Sequence, residues 1–269
     1  MTRLTATVAH HVSDTGPPGE HPDAPVLLFA HGFGCDQHMW RFVAPHFAAD
    51  HRVVLFDHVG AGGAQAPYDV ERYATLDGYA DDVVRICTEL DLHDVVLVGH
   101  SVSAMIGVLA QARAPERFAA LVLVSPSPRY LDDDGYTGGF APSDIEDLVA
   151  ALSSNYLGWS MEMAPVIMGN ADRPELAAEL TNSFCRTDPD IAKEFARVTF
   201  KSDNRADLAK VTIPTLVLQC SEDVIAPVSV GEYVHRQMPN SELVILNATG
   251  HCPNLSAPEE VISAMRSFV

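Results

Sequence analysis

Three residues far apart in the chain have the types and settings that acyl transfer needs. Ser101 lies in VVLVGHSVSA (95–104), where an apolar run passes straight into a helical pattern. A strand that turns sharply into a helix lifts the serine hydroxyl above the sheet edge, within reach of a carbonyl compound. That turn is crowded, so the positions two before and two after the serine need small residues. Gly99 and Ser103 fill them, and Ser103 departs from the usual glycine. Alone, the segment also reads as an ordinary strand–helix turn with an N-capping serine. A serine hydroxyl is a poor nucleophile without a base. Asp223 in CSED (220–223) and His251 in TGHCP (249–253) follow later apolar runs, in the order serine, acid, histidine. Glu222 is the neighbouring rival for the acid. Parallel strands gather their C-terminal ends, so the three side chains can meet. The developing oxyanion needs donors. The Val102 N–H supplies one, and the loop HGFG (31–34) offers a second at Phe33, whose ring would form a pocket wall. Glycines let that loop approach the substrate closely.

The elements that must hold these residues are visible as short apolar runs. They are VLLFA (26–30), VVLF (53–56), VVLV (95–98), LVLV (121–124), TLVLQ (215–219) and LVIL (243–246). Continuous apolar strands suit a parallel sheet covered on both faces. Helical patterns lie between them at 76–90, 101–112, 227–237 and 258–268. The alternation predicts an α/β fold with a mostly parallel, doubly wound sheet. Between Pro126 and Lys210 the alternation stops. Helices are expected there over 142–159, 174–184 and 189–200, the last two opening on proline, which suits a first turn. The chain therefore divides into a core of residues 1–125 and 211–269 and an inserted helical lid of residues 126–210.

Composition narrows the function classes. The 269 residues are 47% hydrophobic and 20% charged, which excludes a disordered chain. Acidic residues outnumber basic ones 36 to 17, for a formal charge of −19. That field repels phosphate backbones and anionic lipid surfaces, so neither nucleic acid nor membrane is an expected partner. Five cysteines with wide spacings and no CxxC predict free thiols in a reducing compartment. No run is apolar enough for a signal peptide or a membrane span, and a soluble, cytoplasmic protein is expected. Twelve histidines are scattered without ligand spacing, so neither a metal nor a cofactor is expected. Gly60-Ala61-Gly62-Gly63 lacks a phosphate-binding spacing and reads as a loop. Asp132-Asp133-Asp134 reads as a solvated turn entering the lid. Phe140, Trp159 and Phe195 read equally as packing or as pocket lining.

Over essentially its whole length the sequence resembles the α/β-hydrolases. More narrowly it is similar to the group of the bacterial stress-response regulator RsbQ and the plant strigolactone and karrikin receptors. The segments that carry this are HGFGCDQHMW (31–40), VLFDHVGAG (54–62), YATLDGYADDV (73–83), GHSVSAMIG (99–107), SPSPRYLDDDGYTGGF (125–140) and GHCPNLSAPE (250–259). The resemblance implies a Ser101–His251–Asp223 triad beneath a lid of four helices, in a monomer. It implies that Phe140, Trp159 and Phe195 line an apolar pocket. It also implies a serine hydrolase acting on an ester or lactone of a small apolar molecule. In the regulator's case the partner would be a PAS-domain phosphatase in stress signalling. A stand-alone metabolic carboxylesterase or lactonase is the alternative.

Overall fold

The computed structural model describes residues 4–17 and 24–269. Seven strands form one sheet: β1 (Ser13–Asp14), β2 (Val26–Ala30), β3 (Arg52–Phe56), β4 (Val95–His100), β5 (Phe118–Val124), β6 (Thr215–Glu222) and β7 (Ser241–Thr249). Their order is β1-β3-β2-β4-β5-β6-β7, and every pairing is parallel except β1 with β3. The six expected apolar runs are the six parallel strands. β1 was not legible because it is two exposed polar residues, held by pairing with Val54 and Leu55 and by the Asp14–Arg52 ion pair.

The central strands are apolar throughout because both faces are covered. All residues of β2 and β4 are buried, and alternate side chains go to opposite faces. Leu27, Phe29, Val96 and Val98 enter one core layer, and Val26, Leu28, Val95 and Leu97 the other. The helices are α1 (Ala6–Ala9), α2 (Asp77–Glu89), α3 (Val102–Arg113), α4 (Pro142–Ser154), α5 (Tyr156–Met168), α6 (Pro174–Arg186), α7 (Pro189–Phe200), α8 (Arg205–Leu208), α9 (Val228–Gln237), α10 (Pro253–Ser256) and α11 (Pro258–Phe268). From β2 the chain moves to β3 on one side, then returns to β4 on the other. The winding reverses between β2 and β4. A crevice opens at the C-terminal ends of strands where such a reversal occurs. The loop after β2 and the turn after β4 both face it.

The four helices α4–α7 lie between β5 and β6. The sequence predicts one helix over 142–159, and the structure divides it. Asn155 leaves helical geometry (φ −152°, ψ 80°), and its side chain accepts the Gly158 N–H at 3.0 Å. The apolar spacing from Ile145 to Tyr156 runs across the break and hides it. Ser-Ser-Asn at 153–155 is the signal that was available, since Asn favours an N-cap. Asp132–Asp134 is an exposed turn as expected, but Asp132 also accepts the Gly138 and Gly139 N–H groups, each at 2.9 Å. The insertion is fastened to the core at several points. Arg41 makes a two-pronged bond to Glu179, both arms 2.6 Å, and Ser183 Oγ donates to the Gly34 carbonyl at 2.8 Å. No helix among the described residues is long and apolar enough to cross a membrane. The five cysteines are free, and four are buried.

Candidate active site

Ser101 sits at the tip of the β4–α3 turn with φ 56° and ψ −122°. A serine held at positive φ costs about 1–3 kcal/mol, so its surroundings must impose the geometry. The Ser101 N–H donates to the Val124 carbonyl at 2.8 Å, which extends the β4–β5 ladder into the turn. Gly99 makes the return possible, because a Cβ there would strike the Ser103 backbone. Ser103 is fully buried and fixed at both ends. Its hydroxyl donates to the His31 carbonyl and accepts from His58 Nε2 at 2.7 Å. His31 Nε2 in turn accepts the His58 N–H at 3.0 Å, which puts the His31 proton on Nδ1, facing the Gly32 carbonyl at 2.8 Å. The serine at 103 therefore locks the elbow to the loop after β2. The histidines of this network were passed over in sequence because their spacing matches no ligand motif.

Asp223, at the end of β6, has a fully buried side chain. One carboxylate oxygen accepts the Ile225 and Ala226 N–H groups at 2.8 and 3.1 Å, and the other lies 2.7 Å from His251 Nδ1. His251 Nε2 lies 2.7 Å from Ser101 Oγ. An unbroken chain thus runs from carboxylate to imidazole to hydroxyl. Glu222, the rival acid, is exposed and accepts from the Thr249 hydroxyl at 3.2 Å. The His251 backbone is clamped from two sides. Its carbonyl accepts from His100 Nε2 at 2.8 Å, and its N–H donates to the Ile167 carbonyl of α5 at 2.9 Å. Gly250 has φ 87°, and a Cβ there would collide with the Met168 carbonyl. The end of α5 can therefore lie directly on the histidine loop only with glycine at 250.

Val102 is the first residue of α3, so its N–H is one of those a helix leaves without an internal acceptor. Phe33 stands opposite, in the loop whose Gly32 comes close to Ser101 and His100. The Val102 N–H adjoins Ser101 in sequence, and Phe33 lines the same cavity as Ser101. A small, largely apolar cavity with about 30 Å³ of free volume adjoins Ser101 and His251. That volume holds about two water molecules. Its aromatic walls are Phe33, Tyr130, Phe184 and Phe200.

Of the expected aromatic residues, Phe33 alone belongs to this lining. Trp159 lies behind it, stacked on Phe184 with ring centres 5.6 Å apart. Phe140 lies edge-on to Phe200 at 6.5 Å. Phe195 stacks on Tyr79 at 4.5 Å, in the core layer beneath α2 and α3. Helical spacing did not separate Phe195 from Phe200, because both positions on α7 are buried. Tyr130 and Thr199 line the cavity and were not singled out in sequence. Their hydroxyls are buried and make no hydrogen bond of good geometry to the protein.

Two thiols, Cys35 and Cys252, also face the cavity. Burial pushes the Cys35 thiol up to about 12 and Cys252 well above its ordinary value. Both stay protonated at neutral pH and are poor nucleophiles. No group of three or more metal-ligating side chains occurs among the described residues.

Burial also favours the neutral form of three histidines around the site. It lowers His31, lowers His58 strongly, and lowers His100 to about 3. The unfolded chain takes up protons at these residues near pH 6.5 while the folded chain does not. Stability is therefore full above pH 6.5 and is lost as pH falls, until His100 protonates in the folded state near pH 3. Each withheld proton contributes a slope of about 1.4 kcal/mol per pH unit. Urea unfolding at pH 7 and pH 5 is expected to show a loss of several kcal/mol. Equal free energies at the two pH values would contradict this reading.

The chain belongs to the α/β hydrolase family, whose model matches residues 27–264. It is similar to the strigolactone esterase D14 of Arabidopsis thaliana, 42% identical over 90% of this chain and 91% of the relative. It is 40% identical to the karrikin insensitive 2 receptor CA of Petunia hybrida, over 96% and 94% of the two chains. The solved structure of olei00960, a hydrolase from Oleispira antarctica, superposes with a TM-score of 0.92 at 37% identity, over 98% and 95%.

Proposed function

We propose that this hydrolase cleaves an ester or lactone bond of a small, mostly apolar molecule through Ser101, His251 and Asp223. The observation that carries this is the hydrogen-bonded chain from Asp223 through His251 to Ser101, each link 2.7 Å. Ser101 Oγ attacks the carbonyl carbon while His251 Nε2 takes its proton. Asp223 keeps the histidine proton on Nδ1 and stabilises the imidazolium. The Phe33 and Val102 N–H groups receive the oxyanion. His251 then returns the proton to the leaving oxygen, and water, activated by the same histidine, releases the acid from the serine. The four-helix insertion acts as the lid, since Ile167, Leu180, Phe184 and Phe200 come from it and help enclose the cavity. Purified protein is expected to hydrolyse p-nitrophenyl acetate and a small lactone. No turnover of either by folded protein would refute the reading.

The relatives' names include both esterases and receptors, and on that ground we extend the proposal to a hydrolase whose turnover serves a signal, as in the stress-regulator group. A PAS-domain phosphatase retained on immobilised protein from the source's own lysate supports that extension. Its repeated absence, with turnover present, favours a metabolic esterase acting alone.

A further inference from the structure

Tyr130 and Thr199 are each about 1% exposed, and neither hydroxyl meets a partner at hydrogen-bonding geometry. Other buried hydroxyls in the insertion are satisfied. Tyr156 donates to the Phe184 carbonyl, and Ser160 donates to the carbonyl four residues back, both at 2.8 Å. That backward bond is the ordinary choice for a helical threonine. Thr199, on α7, does not make it, so its hydroxyl is left for something outside its own helix. Tyr130 lies beside Ser101 without a bond of good geometry. Both residues line the same small cavity as Ser101 and His251, whose other walls are mainly aromatic and aliphatic.

We propose that Tyr130 and Thr199 bind a second oxygen atom of the substrate, distinct from the scissile carbonyl. The site then takes a small ester or lactone that carries an added ether or carbonyl oxygen, in preference to a plain alkyl ester. The inference rests on the serine-hydrolase reading above. An alkyl chain entering the cavity displaces water and leaves both hydroxyls dry, a penalty only the wrong substrate incurs. An oxygen at that place accepts from them instead.

The test uses two esters of nearly equal shape, p-nitrophenyl methoxyacetate and p-nitrophenyl butyrate, which differ by an ether oxygen in place of a methylene. Their intrinsic reactivities differ, so the quantity read is the ratio of their kcat/KM values, compared between wild type and variants. Thr199→Val and Tyr130→Phe are each expected to lower that ratio by about tenfold. Thr199→Ser, which restores the hydroxyl, is expected to keep it, and this separates hydrogen bonding from altered packing. A ratio that moves by less than about twofold in both the Val and Phe variants, with both esters cleaved, would overturn the inference alone. If folded wild type cleaves neither ester, the hydrolase reading fails and the inference fails with it.

Discussion

Ser101→Ala is expected to lower kcat/KM for p-nitrophenyl acetate by about 10⁴-fold or more while the protein remains folded. The size of the effect follows from what the substitution removes. The proposed nucleophile is lost outright, and His251 Nε2 loses the hydroxyl 2.7 Å away. What survives is the proposed pair of N–H donors and the cavity, and these alone would leave only a residual rate above that of water. The fold should tolerate the change, because alanine keeps the Cβ and the backbone already holds its positive φ through the Val124 carbonyl. A melting temperature within about 4 °C of wild type, roughly 1 kcal/mol, is expected. Near-wild-type turnover in such a folded variant would remove Ser101 from the mechanism.

The second large effect concerns Asp223. Its two carboxylate oxygens have separate tasks, one accepting two backbone N–H groups and the other facing His251 Nδ1. Asparagine can keep only one of these without conflict. Its carbonyl oxygen suits the Ile225 and Ala226 N–H groups, which turns its NH₂ toward Nδ1. A donor there forces the histidine proton onto Nε2, where it points at Ser101 and cannot accept the serine proton. Asp223→Asn is therefore expected to lower kcat by about 10³–10⁴-fold with little change in fold. Glu222→Gln is the control and is expected to change kcat/KM by less than about twofold, since Glu222 is exposed and bonds only to Thr249 among the contacts of its side chain. The reverse pattern, with Glu222 essential and Asp223 dispensable, would reassign the acid.

Much of the architecture was legible because strands covered on both faces must be apolar along their whole length. VLLFA and VVLV read as β2 and β4 for that reason; the positions of Ser101 and Asp223 followed from the ends of such runs, and that of His251 from the end of LVIL on the half-exposed edge strand β7. The two-residue β1 carries no comparable signal. The break at Asn155 was masked by an apolar spacing that continues through it. Inside the site, the serine turn could be placed from local chemistry, since Gly99 marks where backbone must pass close to backbone. The cavity lining could not. Whether Phe195 or Phe200 faces Ser101 depends on how α7 sits against the core, and that is a matter of tertiary packing. The same holds for Tyr130 and Thr199, whose significance lies in partners they lack. The role of Ser103 was also hidden, because its hydrogen bonds go to histidines in two other loops.

The most direct test of the central claim is to trap the nucleophile. Folded protein is treated with a fluorophosphonate ester, digested, and the adduct located by peptide mass spectrometry. The account predicts one adduct, on the Ser101 hydroxyl, absent from Ser101→Ala and formed far more slowly in Asp223→Asn. An unmodified Ser101 in active protein, or an adduct that persists in Ser101→Ala at the wild-type rate, would contradict it.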